Sequence, residues 1–521
     1  DRPMPNEQDG RADFFARADR GHVAPGYTQQ TPVLKGVISA LDPGKQSPLE
    51  SSADVAFQRR ANSLVPNTQL FDANALRTPL QTNRWWQNLV LDKGADPIHP
   101  YPYMVKCGKT SATVGFPRFT SSATAMTSDQ TPDWELGDGA GALSMRQVTA
   151  ADALGVEVTW SGAGGAGMRS RFYKGLAFQT FELAGVAPVL TTIHAVLTVE
   201  QLGRTVLSAR ENIYQVAQDV ADMPSLTKVT LNNGAQWLIT SKPEIKWRSD
   251  GSRLVPAGTV GSAYKGVVQL AHLGADPDSN LSVLQRYAGT YPTEGSVTYA
   301  QVNSDRNSTG ERSANVVFFY KTNTDAGGDT AKIYSPASVS PTMQLLSFVL
   351  PHHVDRMNKT ALLTPGLAGY RSAKGPLTAV AGNIISYSQP LQRVGLEGRN
   401  RLSDADRARL QRQLSIDAAM ETDMSAGDPY FFGKSVARVA RLYQIASELG
   451  DSATMGALGP KLLGALKQWL TDQSNSDPLV YDSSWGGVVS SKGLVDPGAD
   501  FGQGRYNDHH FHYGYFVYAG A

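Results

Sequence analysis

Apolar and polar side chains alternate in the stretch Val156-Glu157-Val158-Thr159-Trp160. Successive side chains of a β-strand point to opposite faces, so this alternation is typical of a strand with one buried face. Similar alternation runs through much of residues 172–183, and turn residues such as Asn232-Asn233-Gly234 separate the short apolar stretches. Many short strands divided by turn signals predict an antiparallel β-sandwich over residues 76–274.

The hydrophobic period changes after residue 391. Ser403 followed by Asp406 resembles a capping box that opens a helix, and Gly450 is placed to end a later one. We therefore predict a helical domain over residues 391–521. Two of its helices are indicated by apolar residues at helical spacing: Val436, Val439, Ala440, Leu442, Tyr443 and Ala446 in one, and Leu462, Leu463, Leu466 and Leu470 in the other.

The regions on either side of the predicted sandwich carry weaker signals. Residues 282–287 are compatible with a helix, and residues 315–320 and 345–350 look like buried strands. We predict a small α/β domain over residues 275–390. Residues 1–75 are polar and turn-rich, and we expect an irregular extension wrapped over the first domain. The predicted fold is a multidomain α+β protein.

Composition and charge restrict the classes of partner. The 521-residue chain has 48 basic and 47 acidic residues, a net charge of +1, which gives no reason to expect nucleic acid or an anionic membrane. Apolar residues make up 41%, as in a globular protein, and no run of eighteen apolar residues predicts a membrane span. The single cysteine, Cys107, excludes an intrachain disulfide and is expected to be a small apolar side chain.

The densest group of chemically active residues lies near the C-terminal end. If a helix starts near Asn507, Asp508 and His512 share one face, and Phe511 with Tyr515 share another that packs inward. The segment is compatible with a packed helix, with a metal site formed by Asp508 and its histidines, or with a sugar site in which an acid lies among aromatic rings. It reads Asp500-Phe501-Gly502-Gln503-Gly504-Arg505-Tyr506-Asn507-Asp508-His509-His510-Phe511-His512-Tyr513-Gly514-Tyr515.

Three further segments are candidates. Tyr430 and Lys434 are four residues apart before the amphipathic helix and could face one pocket, although spacing alone favours an aromatic staple with a solvated lysine. Residues 481–487 form a loop with an exposed-looking Trp485. Residues 82–88 contain the pair Trp85-Trp86, which we interpret as core.

These segments together resemble glycoside hydrolase family 81, the endo-β-1,3-glucanases. The resemblance covers residues 80–521, and the string at 500–515 is its most specific part. The matching segments, in the family's order, are residues 82–88, 100–103, 174–180, 350–353, 428–434, 482–487 and 500–515.

The resemblance implies a β-sandwich, a small α/β domain and an (α/α)6 barrel that holds the cleft. It implies endo-acting hydrolysis of β-1,3-glucan with inversion, without a metal or cofactor. The general acid falls on Asp508, and His512 contacts sugar one helical turn later. The remaining implied substrate contacts are Tyr430, Lys434, Asp482 and Trp485.

The family's general base is a glutamate in a Glu-rich motif downstream of the histidine string, and neither Glu421 nor Glu448 matches it. We therefore expect an incomplete barrel and little activity for the chain as written. The alternatives are a non-catalytic β-glucan-binding protein and a metal-dependent hydrolase that uses the histidine cluster. We expect a secreted protein that is a monomer, with β-1,3-glucan as its partner and neither nucleic acid nor membrane.

Overall fold

The protein was analysed as a computed structural model, which places its described residues in two compact units. One unit comprises residues 69–391, and the other combines residues 57–64 with residues 402–521. The described residues are 57–64, 69–73, 75–77, 84–90, 96–203, 223–258, 264–302, 312–324, 344–357, 359–391, 402–420, 423–472 and 475–521.

Two antiparallel sheets dominate the first unit. The alternating stretch at residues 156–160 lies in strand Gly155–Gly162, where Val156, Val158 and Trp160 are buried. In spatial order the larger sheet has eight strands: Val196–Gly203, Ser225–Leu231, Gln236–Lys242, Tyr264–His272, Gln179–Val186, Gly167–Tyr173, Gly155–Gly162 and Leu143–Ala151. The smaller sheet has six: Trp247–Asp250, Arg253–Pro256, Pro188–Thr191, Trp134–Asp138, Ala112–Gly115 and Met104–Cys107. The prediction of a strand-rich N-terminal part is confirmed.

Of the tryptophan pair interpreted as core, only Trp86 is buried and Trp85 is partly exposed, whereas the expectation for Cys107 is confirmed. Trp86 is buried, and the Trp85 indole donates to the Leu154 carbonyl at 3.1 Å. Thr82 and Asn83 of the same motif lie outside the described residues. Cys107 is buried, and burial raises the pKa of its thiol to about 12. A thiol in that state is a packing residue.

The later part of this unit mixes helices and strands, as predicted. Helix α1, Pro277–Tyr287, is capped by Asp276, and a short helix α2 spans Pro351–Val354. Leu284 of α1 packs in one core with Phe178 and Phe348. The predicted boundary between residues 274 and 275 therefore does not break the packing, and a separate α/β domain stays a prediction. The strands are Pro292–Val302, Arg312–Thr322 and Ile384–Leu391 in one sheet, and the pairs Leu346–Val349 with Thr378–Ala381 and Arg371–Ser372 with Gly375–Pro376.

The second unit has a helical core, which confirms the change of period read from the sequence. Each of its first three helices has a side-chain N-cap: Ser403, Asp428 and Asp451. Gly450 ends the second of them in the left-handed conformation, with φ of 73°. Phe432 is fully buried against Trp469 and Phe516. The helices are α3 (Asp404–Ala419), α4 (Pro429–Leu449), α5 (Ser452–Lys467) and α6 (His509–Gly520).

A small sheet joins distant parts of the chain to this helical core. Strand Leu479–Asp482 pairs antiparallel with Gly487–Ser490 and parallel with Arg59–Arg60. The expectation that residues 1–75 all wrap the first domain is therefore wrong for residues 57–64. These residues belong to the helical unit because their backbone pairs with Tyr481 and Asp482. Residues 1–56 lie outside the described part.

In the part of the chain that the structure describes, no helix combines the length and the apolar character needed to cross a bilayer.

Candidate active site

The loop at residues 499–508 has an unusual backbone. It contains short 3-10 turns at Ala499–Phe501 and Gln503–Arg505. Non-glycine residues with positive φ cost roughly 1–3 kcal/mol each and persist only where their surroundings fix them. Across the described residues, all of the non-glycine positions with positive φ fall in this loop: Asp500, Phe501, Tyr506 and Asp508, at 49°, 61°, 63° and 54°.

A saturated carboxylate anchors the end of this loop. Asp482 is fully buried at the end of strand Leu479–Asp482. Its Oδ2 accepts from Asn62 Nδ2 at 2.8 Å and from the Tyr506 hydroxyl at 2.9 Å. Its Oδ1 accepts from the backbone N–H of Ser484 at 2.8 Å and of Trp485 at 3.3 Å. With four donors around it, Asp482 acts on the site by holding Tyr506 and the loop at residues 482–487.

A buried glutamine fixes the middle of the loop. Gln503 accepts from the Ser490 N–H at 2.5 Å and donates to the Tyr513 hydroxyl at 2.7 Å. The next residue, Gly504, lies against Gly493 so closely that an added Cβ would be 1.9 Å from the Gly493 carbonyl oxygen. Only glycine fits at this position, because any side chain would displace one of the two backbones.

The predicted acid is the last residue of the loop. Asp508 is exposed, and its carbonyl accepts from the His512 N–H at 2.8 Å in the first turn of α6. Asn507 Nδ2 lies 3.3 Å from Asp508 Oδ2 and is positioned to donate to it. Asp508 and His512 therefore lie one helical turn apart, as the spacing predicted. The carboxylate is open to an incoming ligand.

His512 is buried, and its Nδ1 has no hydrogen-bond partner in the described structure. Its ring lies 5.3 Å from the ring of Tyr430 and 6.3 Å from that of Phe501. Burial lowers the pKa of His512, and the negative charges of Asp508 and Asp428 only partly oppose that effect. Burial thus favours a neutral imidazole whose Nδ1 is enclosed by protein and makes no hydrogen bond with the described residues.

Helix α4 supplies the second predicted pair. Asp428 caps this helix by accepting from the N–H of Tyr430 at 3.0 Å and of Phe431 at 2.9 Å. One turn later, Lys434 Nζ lies 5.2 Å from the centre of the Tyr430 ring. Tyr430 and Lys434 therefore lie in contact on one side of α4, and a pocket shared by them stays a prediction.

An exposed aromatic patch surrounds Tyr430. Its members are Phe431, Phe501 and Phe511, which are 49%, 52% and 55% exposed. Their ring centres lie 5.0, 5.0 and 5.8 Å from that of Tyr430. The expectation that Phe511 packs inward is therefore wrong, since its ring lies at the surface of this patch. Sequence reasoning assigned no role to Phe431 or Phe501, because their grouping depends on the contact between α4 and the loop.

Trp485 is less open than its loop position suggested. Its ring is half-buried, and its indole N–H donates to the Leu64 carbonyl at 2.6 Å. The hydrogen-bonding group is therefore already used, and only the ring face remains for a ligand.

A second buried carboxylate lies beneath the start of the loop. Asp477 is fully buried, and its Oδ2 has no partner, although the Asp500 carboxyl is within hydrogen-bond reach of it. Burial, aided by the hydrogen bond and charge of Asp477 and by the charge of Asp428, raises the pKa of Asp500 to about 7, and the Ser490 hydroxyl opposes this shift. Sequence reasoning did not find Asp477, since no local motif marks it.

The three neighbouring histidines do not converge. His509 Nε2 is bonded to the Gln503 carbonyl at 2.8 Å, whereas His512 faces Tyr430 and His510 is exposed. Within the described residues, no three side chains of His, Cys, Asp or Glu are grouped as a metal site requires. The geometry gives no support to the metal-dependent alternative.

Two family models cover most of the chain. Residues 66–397 match the model described as the glycosyl hydrolase family 81 N-terminal domain, and residues 402–521 match that of the C-terminal domain. A solved structure described as glycoside hydrolase family 81 from Clostridium thermocellum aligns with a TM-score of 0.66 at 19% identity. The alignment covers 89% of this chain and 58% of that one, and it indicates a shared fold.

Curated relatives carry a common name. A glucan endo-1,3-beta-D-glucosidase of Glycine max is 24% identical over 90% of this chain and 64% of its own length. A protein of the same name from Arthroderma benhamiae is 30% identical over 56% of this chain and 31% of its own. This chain therefore spans less than two thirds of either relative. Because the N-terminal family model alone matches well over half of the residues, the chain belongs to glycoside hydrolase family 81.

Proposed function

We propose that the protein hydrolyses internal bonds of β-1,3-glucan with inversion of the anomeric carbon. The observation that carries this proposal is the exposed carboxylate of Asp508, one turn from His512 and beside an exposed aromatic patch, in a chain of family 81. The names of the relatives from Glycine max and Arthroderma benhamiae support the same substrate.

In this mechanism Asp508 is the general acid. It gives its proton to the glycosidic oxygen that leaves, while a second carboxylate activates water on the opposite face of the sugar. In inverting enzymes the two carboxyl groups are about 6.5–9.5 Å apart, which leaves room for the water. Asp482 does not suit the second role because its oxygens are saturated, and neither does Asp477, which is buried.

The side chains around Tyr430 are the proposed sugar-binding groups. Aromatic rings pack against the apolar faces of pyranose rings, so the exposed rings of Phe431, Phe501 and Phe511 suit a neutral glucan. The exposed ammonium group of Lys434 suits hydroxyl groups near the cleavage point, and the buried imidazole of His512 is a proposed sugar contact one turn from Asp508. Trp485 offers a ring face, and we propose Asp482 as a positioning residue rather than a sugar contact.

The proposed architecture places these groups in the first part of an (α/α)6 barrel, preceded by a β-sandwich and a small α/β domain. The four helices α3 to α6 support the barrel assignment, and the two antiparallel sheets support the sandwich. We propose a monomer that acts outside the cell, where polymeric glucan is accessible. One relative, from Schizosaccharomyces pombe, is named for primary septum glucan.

The test is product release by the purified protein. We expect oligosaccharides from laminarin and curdlan, none from cellulose or chitin, and an initial product of inverted configuration by NMR. Binding of laminarin without any release would favour the non-catalytic glucan-binding alternative. Equal rates on β-1,4-glucan would overturn the substrate assignment.

A further inference from the structure

Two carboxyl groups in the helical unit meet without a proton donor between them. Asp477 Oδ1 accepts from the Ser491 hydroxyl at 2.8 Å and from the Lys492 N–H at 2.7 Å. Asp477 Oδ2 is buried and has no partner, although Asp500 is within reach. Asp500 itself accepts a hydrogen bond from the Ser490 hydroxyl.

A single proton between Asp477 and Asp500 would remove the repulsion and supply the missing hydrogen-bond donor. Two ionised carboxylates in contact repel each other, and neither can donate a hydrogen bond. If Asp500 carries a proton, it can donate to Asp477 Oδ2 while still accepting from Ser490. The two charges that act on Asp500 favour this state because both are negative, Asp477 and Asp428 at the start of α4, and Tyr513 on α6 is an uncharged phenol.

We propose that Asp500 is a protonated carboxylic acid that donates to Asp477 Oδ2, and that this shared proton holds in place the loop that ends at Asp508. The connection to Asp508 is short. The carbonyl of Phe501, the next residue, accepts from Asn507 Nδ2 at 2.9 Å, and the same amide reaches Asp508 Oδ2 at 3.3 Å. Asp500 is therefore a positioning residue, and its catalytic consequence rests on the proposed function.

The pH dependence follows from the direction of the shift. The pKa of Asp500 is raised to about 7 in the folded protein, whereas an unfolded aspartate has a pKa of about 3.9. Between these values the folded state binds the proton that the unfolded state releases. The stabilisation is fully present below about pH 4 and is lost as the pH rises through about 7.

Difference infrared spectroscopy on the full chain tests the proton itself. The wild type minus Asp500→Asn should show the C=O band of a protonated carboxyl, which disappears with a midpoint at about pH 7. Asp496→Asn is a matched control, because Asp496 is an exposed carboxylate that caps Gly498 just before the same loop. That variant should keep the band. The absence of a protonated band below the midpoint would overturn the proposal.

Thermal unfolding provides a second test that needs no substrate. An asparagine amide can donate to Asp477 and accept from Ser490. The melting temperature of Asp500→Asn should therefore equal that of the wild type in acid and should decrease less than that of the wild type as the pH rises. The melting temperature of Asp496→Asn should vary with pH as that of the wild type does. A wild-type pH dependence in Asp500→Asn would contradict the shared proton.

Two further readouts separate positioning from a purely structural role. Asp500→Ala removes the donor altogether and should melt below Asp500→Asn in acid. If Asp500→Ala does not fold, the melting temperatures of Asp500→Asn still test the shared proton.

In the pH profile of kcat, Asp500→Asn should move the alkaline limb to higher pH, and an unmoved limb would reject the positioning role. If the wild type does not hydrolyse glucan, the proposed function fails, but the infrared and melting results still test the shared proton. The two proposals can therefore fail independently.

Discussion

Asp482 and Asp477 are both fully buried carboxylates beside one strand, yet their surroundings are opposite. Asp482 receives four hydrogen bonds, from Asn62, Tyr506 and two backbone N–H groups. Asp477 has one satisfied oxygen and one that meets only Asp500. Burial alone therefore does not determine how a carboxylate behaves, and the number of donors around it does.

The two carboxylates hold opposite ends of the same loop. The Asp477–Asp500 contact fixes its start, and the hydrogen bond from Tyr506 to Asp482 fixes its end. Between them lie strained residues that need such support, and Asp508 follows at once. These surroundings support the proposals that the buried carboxylates position the loop and that the exposed Asp508 is the acid.

The largest expected effect comes from that exposed carboxylate. Asp508→Asn keeps the shape of the side chain but removes the proton donor, which typically costs about 10²–10⁴-fold in rate. We expect kcat on laminarin to fall by that factor while oligosaccharide affinity, measured by calorimetry, changes little. Asp496→Asn is the control and should behave as wild type. Near-normal turnover in Asp508→Asn would exclude it as the acid.

The next effect distinguishes the two buried carboxylates. Asp482→Asn places an amide N–H₂ among four donors, and losing hydrogen bonds to a charged group costs about 1.5–3 kcal/mol each. Each oxygen of Asp482 accepts two of these bonds, so we expect the free energy of unfolding of the helical unit, measured in urea, to fall by roughly 3–6 kcal/mol for the two bonds lost. Asp500→Asn under the same mildly acidic conditions should cost far less. Equal losses of unfolding free energy in the two variants would contradict the proposed difference between the two buried carboxylates.

The smallest expected effect is that of substituting Lys434, whose ammonium group contacts an aromatic ring and not a carboxylate. Lys434 lies over Tyr430, and an exposed cation–π contact contributes about 0.5–1 kcal/mol. Lys434→Ala should raise KM for laminarin a few-fold, with a milder change in kcat. Arg438→Ala, one turn along the exposed side of α4, is the matched control and should leave KM unchanged. Similar effects from both substitutions would remove Lys434 from the sugar site.

Local signals in the sequence accounted for most of the secondary structure that could be checked. Period-two alternation located strand Gly155–Gly162, Ser403 caps a helix as predicted, and Gly450 ends another. Spacing alone placed Asp508 next to His512, because residues four apart meet on a helix. The family resemblance also came from contiguous strings. These features depend on neighbours within a few residues.

Contacts between distant segments were decided only by the tertiary structure. Nothing local marks Asn62 as a partner of Asp482, since 420 positions separate them in the chain. The same holds for the exposed patch around Tyr430 and for Asp477 beneath Asp500. A side chain's hydrogen-bond partners and its access to water depend on which elements pack around it. The sequence does not show whether both oxygens of a carboxylate have donors or whether one of them has none. The sequence by itself thus determined the elements and the candidate acid, whereas packing decided which carboxylates hold the loop and which one faces solvent.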